Sequence, residues 1–324
     1  MRRLTTAALA LALLGSALQA CSDDAEPDTT PSGAATSSSQ PAEPVSPSTS
    51  TAPTDTPSTP ARPKGPYDPP GSIFDDGRFL VAYYGSADTG ALGVLGETDP
   101  ATMHRRLTRA AARFERKDQP VQEVFELIVT VADPHPGEDR SFSHDIAKEQ
   151  VRRYIRAAHR HNALLVLDLQ PGRSDFLTVA KRWEWALKDP LVGLALDPEW
   201  RMKRGQVPGR VIGSVDADEI NEVTRWLVDL QIEHQLPEKL FLLHQFRTDM
   251  IERIGMVKRR PSLAMVQHVD GFGTPGQKLD TFHAVARPQK FLMGFKLFYD
   301  EDTHLMNSTQ VHRIRPKVRF VSFQ

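Results

Sequence analysis

Eight mostly apolar stretches recur along the chain after about residue 70, and each gives way to polar or aromatic side chains where it ends. They run Arg78–Gly85, Val124–Val131, Ala163–Gln170, Leu191–Leu196, Lys239–Phe246, Ser262–Asp270, Lys290–Phe298 and Val318–Phe323. Near-continuous apolar runs of this length mark strands buried on both faces, as in parallel sheets.

Between them the pattern switches to helical spacing. Asp99-Pro100 is a helix start, with Met103, Leu107, Ala110, Ala111 and Phe114 on one face of a helix reaching about Lys117. Ser143–His161 repeats the pattern through Ile146, Val151, Tyr154, Ile155 and Ala158. Ser174 is placed to cap a helix to about Lys188, and Asp216 with Glu219 reads as a capping box for a helix to about Leu236. A short helix over Thr248–Val257, one over Gly276–Arg287 and a weak one near Ser308 complete the set.

Strands alternating with helices predict an α/β fold, and eight repeats predict a single (β/α)8 TIM-type barrel over residues 71–324. An open doubly wound sheet is the alternative. No G-x-G-x-x-G turn follows the first strand, which counts against a dinucleotide site, and no cofactor is expected. The last strand is followed by no helix, and Pro66–Phe74 is the segment available to cover the gap.

Composition changes the picture mainly at the start of the chain. Arg2 and Arg3 precede the apolar stretch Leu4–Leu18, which is too short for a comfortable membrane span. It ends in Leu18-Gln19-Ala20-Cys21, which resembles the lipobox of bacterial lipoproteins. That resemblance implies a signal peptide over residues 1–20 and lipidation of Cys21. The expected location is then the outer face of the bacterial cell membrane, held there through Cys21. Cys21 is the only cysteine, so no intramolecular disulfide is possible. Residues 21–70 are dominated by Ser, Thr, Pro and Ala and are expected to be a disordered linker. Across the 324 residues, 40 basic side chains balance 41 acidic ones, which gives no reason to expect a nucleic-acid partner. A monomer is expected.

Active sites of such barrels lie at the carboxyl ends of the strands. Those ends carry Tyr83 and Tyr84, Asp133 and His135, Asp168 and Gln170, and Asp197, Glu199 and Trp200. The later strands add His244 and Gln245; Gln267, His268 and Asp270; and Lys296, Phe298, Tyr299 and Asp300. Glycoside cleavage needs one carboxyl held protonated and a second held ionised. Asp197 and Glu199 supply such a pair, since residues two apart on a strand share a face.

On these residues the chain resembles the TIM-barrel glycoside hydrolases. Val81-Ala-Tyr-Tyr-Gly85 looks like the first strand of chitinase-like barrels. Asp197-Pro-Glu199-Trp200 looks like the D-x-E that ends strand four of chitinase-like and lysozyme-like families. The resemblance implies Glu199 as proton donor, Asp197 as its ionised partner, and a glycan or cell-wall polysaccharide as substrate. Asp168 and Asp270 are reserve nucleophiles or bases. Tyr83, Tyr84, Asp133, Gln170, Trp200, His244, Gln245, Gln267, His268, Lys296 and Phe298 are candidate substrate contacts. Chitinase-like enzymes carry further aspartates upstream on strand four, where this chain has Val192 and Ala195.

Three other readings share these residues. A glycan-binding lipoprotein on a degenerate glycosidase barrel would keep the cleft without the chemistry. His135, His244 and His268 with Asp133 and Asp270 have the chemistry of metal ligands, although no H-x-H ends the first strand and no metal is expected. Lys296 facing inward is the residue type of a Schiff-base aldolase.

Overall fold

The computed structural model describes residues 71–324. The expected signal peptide, Cys21 and the linker lie outside the described residues. Eight parallel strands close into a barrel: β1 Phe79–Ser86, β2 Val121–Ala132, β3 Leu164–Leu169, β4 Val192–Leu196, β5 Lys239–Gln245, β6 Leu263–Val269, β7 Leu292–Leu297 and β8 Val318–Phe323. Each pairs with the next, and β1 pairs with both β2 and β8, which leaves no open edge in the ring. The open doubly wound alternative is thereby excluded.

Among the described residues seven helices pack outside: α1 Pro100–Ala111, α2 Lys148–His161, α3 Phe176–Arg182, α4 Glu184–Leu187, α5 Ala217–Glu233, α6 Pro275–Val285 and α7 Ser308–Arg313. Among the described residues no helix is long and apolar enough to cross a membrane. The apolar face expected on α1 is buried through Met103, Leu107, Ala110 and Ala111, and Phe114 follows in a short 3-10 turn.

Five local expectations give way to competing interactions. Ser143–Asp145 is a short strand antiparallel to the end of β2, not the first turn of α2. Thr130 Oγ1 donates to Asp145 Oδ1 at 2.7 Å and holds it there. The cap of α3 is Asp175, which accepts from Thr178 N at 2.8 Å, and not Ser174. The expected helix to Lys188 breaks at Trp183, whose indole N–H reaches back to Thr130 Oγ1 at 3.0 Å. Asp216 does cap α5, but Glu219 makes no capping box because Arg201 and the backbone of Phe176 take its carboxylate. Between β5 and β6 the expected short helix is two 3-10 turns flanking Ile251–Glu252, which pairs with Val215–Asp216.

The start of the described chain lies across the amino-terminal ends of the strands. Ile73 is buried, its N–H donating to Glu238 just before β5 at 2.6 Å. Arg319 near the start of β8 donates to the carbonyl of Phe74 at 3.2 Å. This part of Pro66–Phe74 therefore closes the end of the barrel opposite the polar rim.

Candidate active site

Strand register decides which rim side chains meet. His244 is level with His268, His268 with Gly294, and Lys296 with Ser322. Side chains alternate along a strand, so these inward positions and their neighbours Tyr84, Glu126, Asp168 and Asp197 form one polar layer on top of an apolar core. Gly294 makes room for it, because a Cβ there would stand 3.1 Å from the imidazole of His268.

His244 is the hub. Its Nδ1 lies 2.9 Å from Asp270 Oδ2 and its Nε2 2.9 Å from Glu126 Oε1, with Asp168 Oδ1 at 4.0 Å. Burial alone would discharge this imidazole, but the hydrogen bonds to Asp270 and Glu126 outweigh it and raise its pKa well above the ordinary value. The same contacts overcome burial at the two acids. His268 and His244 hold Glu126 below the carboxylate range, and His244 does so for Asp270.

The other carboxyls go the opposite way. Burial pushes Asp197 well above its ordinary value, with the charges of Asp168 and Glu199 adding to it. Burial also brings Asp168 up to about 6, although it accepts from Tyr84 Oη at 3.0 Å. Glu199 is raised to about 7 by burial and by the charge of Asp270. Unlike the others it keeps a partial opening to solvent. Asp197 is thus sealed against charge, whereas Asp270 is held ionised by the imidazole of His244.

The turn that carries Glu199 is pinned from three sides. Pro198–Trp200 forms a 3-10 turn straight after β4, and Gly213 N donates to the Glu199 carbonyl at 2.7 Å. Met202 N donates to the carbonyl of Gly172 at 2.7 Å. Arg201 pairs with Glu219 at 2.9 Å and Lys203 with Glu252 at 2.6 Å, so neither neutralises Glu199.

Of the remaining candidates, Gln170 joins the cluster by donating to Tyr84 Oη at 3.3 Å. Lys296 places its ammonium 3.5 Å from the centroid of the Tyr84 ring and 5.2 Å from that of Phe298. Trp200 is half-buried beside Glu199. Tyr83 points outward, to Tyr299 Oη at 3.3 Å and the Arg106 carbonyl. Gln245 and Gln267 also face outward and bond each other at 2.7 Å. Asp133 sits in a loop, where it pairs with His135 and with His144 of the short Ser143–Asp145 strand. His135 is exposed while His244 and His268 are fully buried, so the three imidazoles expected as one metal set do not meet.

Glu126 and Ser322 complete the layer, and neither was anticipated. The signal for Glu126 was an acid in the middle of Val-Phe-Glu-Leu-Ile, where a strand buried on both faces has no use for a charge. One oxygen each of Glu126, Asp168, Asp197 and Asp270 is buried without a hydrogen-bond partner. Each such atom costs about 1–3 kcal/mol, which stability alone does not explain. No protein family matches the chain, and no curated protein is significantly similar to it.

Proposed function

We propose that this chain is a glycoside-hydrolase-type enzyme that uses Glu199 as proton donor and Asp270 as ionised partner. The observation that carries the reading is the state of Glu199. It is partly open to solvent at the end of β4, left unpaired by Arg201, and raised to about 7 beside a charged carboxylate. A carboxyl in that state is about half protonated at pH 7 and is able to donate to a glycosidic oxygen. As the bond to that oxygen breaks, positive charge grows on the sugar carbon. Asp270, anchored through Oδ2 with Oδ1 unpartnered, is the carboxylate available to stabilise it. Water then supplies the hydroxyl to that carbon, and its remaining proton restores Glu199. Trp200 offers an aromatic face beside the donor.

The substrate class, a glycan such as a cell-wall polysaccharide, follows from the resemblance of Asp197-Pro-Glu199-Trp200 to the D-x-E of strand four. The lipobox-like Leu18-Gln19-Ala20-Cys21 supports a lipid-anchored protein on the outer face of the membrane. Labelling with a radioactive fatty acid tests the anchor, and Cys21→Ser should abolish the label.

The enzymatic test is release of reducing ends from a panel of cell-wall and plant polysaccharides by the purified chain. Glu199→Gln should lower the rate by about 10²–10⁴-fold and leave binding intact. Binding without any release of reducing ends would replace the enzyme by a glycan-binding lipoprotein. Neither binding nor hydrolysis would reject the reading.

A further inference from the structure

Three ligand-type atoms converge inside the barrel: Oε1 of Glu126, Nε2 of His244 and Nδ1 of His268. All three residues are fully buried, and the three atoms lie within 4.8 Å of one another. We propose that Glu126, His244 and His268 form a three-ligand binding site for a divalent transition-metal ion of zinc type.

The spacing suits such an ion. Bonds of 2.0–2.2 Å in a tetrahedral shell put ligand atoms about 3.4 Å apart. Here Glu126 Oε1 stands 2.9 Å from His244 Nε2 and 3.5 Å from His268 Nδ1. The donor set is two imidazoles and one carboxylate. That set suits zinc-class ions.

The surroundings point the same way. A metal-bound imidazole needs its other ring nitrogen held by a hydrogen-bonding partner, which fixes the tautomer. His244 Nδ1 has Asp270 at 2.9 Å, and His268 Nε2 has Ser322 Oγ at 3.0 Å. Each ring thus turns its remaining nitrogen toward Glu126. A proton shared between His244 and Glu126 accounts for one contact only. It leaves His268 Nδ1, Glu126 Oε2 and Asp168 Oδ1 buried and without hydrogen-bond partners. One cation at the converging atoms takes up His268 Nδ1 and neutralises the Glu126 carboxylate. Glu199 is not a ligand, and with the ion bound a neutral His244 still donates from Nδ1 to Asp270, the partner used in the proposed glycosidase chemistry.

The test uses the full chain, expressed without a histidine tag and purified without chelator, with metal content measured by mass spectrometry. Because every ligand is buried, a second sample is refolded from denaturant in the presence of Zn²⁺ and dialysed. About one equivalent per chain is expected, and Glu126→Gln and His268→Gln should each weaken Zn²⁺ binding by at least about 100-fold. Ser322→Ala, which alters only the group behind His268, should weaken it by about 10–100-fold. His104→Gln, in the imidazole pair with His161 outside this site, should change nothing. If the ligand variants fail to fold, Co²⁺ substitution of the native chain decides: visible d–d bands of a low-coordinate nitrogen and oxygen site are expected. Less than about a tenth of an equivalent in both native samples, no Co²⁺ bands, or undiminished binding in folded Glu126→Gln and His268→Gln would overturn the site.

Discussion

Arg201 turns its guanidinium to Glu219, 2.9 Å away, and leaves Glu199, two residues before it, without a cationic partner. The pairing matters because a guanidinium on Glu199 would lower its pKa and strip the proton that the proposed chemistry needs. A general acid works only while protonated, so hydrolysis should fall as pH rises through about 7, the value to which burial and Asp270 bring Glu199. Rates measured from pH 4 to 9 on a neutral polysaccharide check this. A profile flat across pH 6–8 would remove Glu199 as the donor.

The same pairing gives a second prediction. Glu219→Gln keeps an oxygen to accept from the Phe176 N–H but cancels the charge that holds Arg201. Arg201 then lies beside Glu199 as an uncompensated cation, and the alkaline limb of the rate profile should move to lower pH. The fold should persist by circular dichroism. An unmoved limb would mean that Arg201 does not govern Glu199.

The outward-facing glutamines mark the boundary of what the residue pattern conveys. Eight apolar runs announced eight strands because parallel strands are buried on both faces, and polar strand ends announced the rim. Which of two adjacent polar residues faces inward depends on register, and a slip of one residue reverses it. His244 and His268 fell inward while Gln245 and Gln267 fell outward, although both pairs look alike in sequence. Glu126 was hidden for a related reason, since the apolar residues around it read as strand body. The strand at Ser143–Asp145 was masked because its pairing with β2 is non-local, while helical spacing is read locally.

Gln267 tests that placement. It donates to Gln245 and to the Val285 carbonyl at 2.9 Å, and it accepts from Arg287 N at 2.8 Å. Gln267→Leu strands buried partners and should cost on the order of 2–4 kcal/mol in denaturant unfolding. KM and kcat should stay at wild-type values under conditions where the variant is folded. A selective rise in KM without loss of stability would return Gln267 to the substrate site.

Gly213 holds the turn of Glu199 by close approach. A Cβ at this position would stand 2.6 Å from the carbonyl oxygens of Pro198 and Arg201 and 2.7 Å from that of Glu199. All three atoms are backbone, so Gly213→Ala must push the turn and break the Gly213 N–H bond to Glu199. Displacement of a catalytic group by about 1 Å can cost about 100-fold in rate, and overpacking costs about 1–3 kcal/mol. The variant should therefore lose kcat while remaining folded. Wild-type kcat in a folded Gly213→Ala would show that the position of Glu199 does not limit the rate.

Lys239, at the amino-terminal end of β5, provides a test of the fold away from the rim. Its ammonium is buried and donates to the carbonyls of Asp189 and Val192 at 2.9 and 2.8 Å, and burial lowers its pKa to about 8. The unfolded chain holds this proton up to about 10.4. Between those values the unfolded state binds more protons than the folded one, so stability from this group rises with pH across that window. Below pH 8 both states are protonated, and the full penalty of burying the charge is present. Relative to Lys239→Met, which has no such group, the wild type should gain on the order of 3 kcal/mol between pH 8 and 10.4. Denaturant unfolding of both proteins at pH 7.5 and 10.5 measures the difference. Curves that shift in parallel would show that Lys239 titrates alike in the folded and unfolded chain.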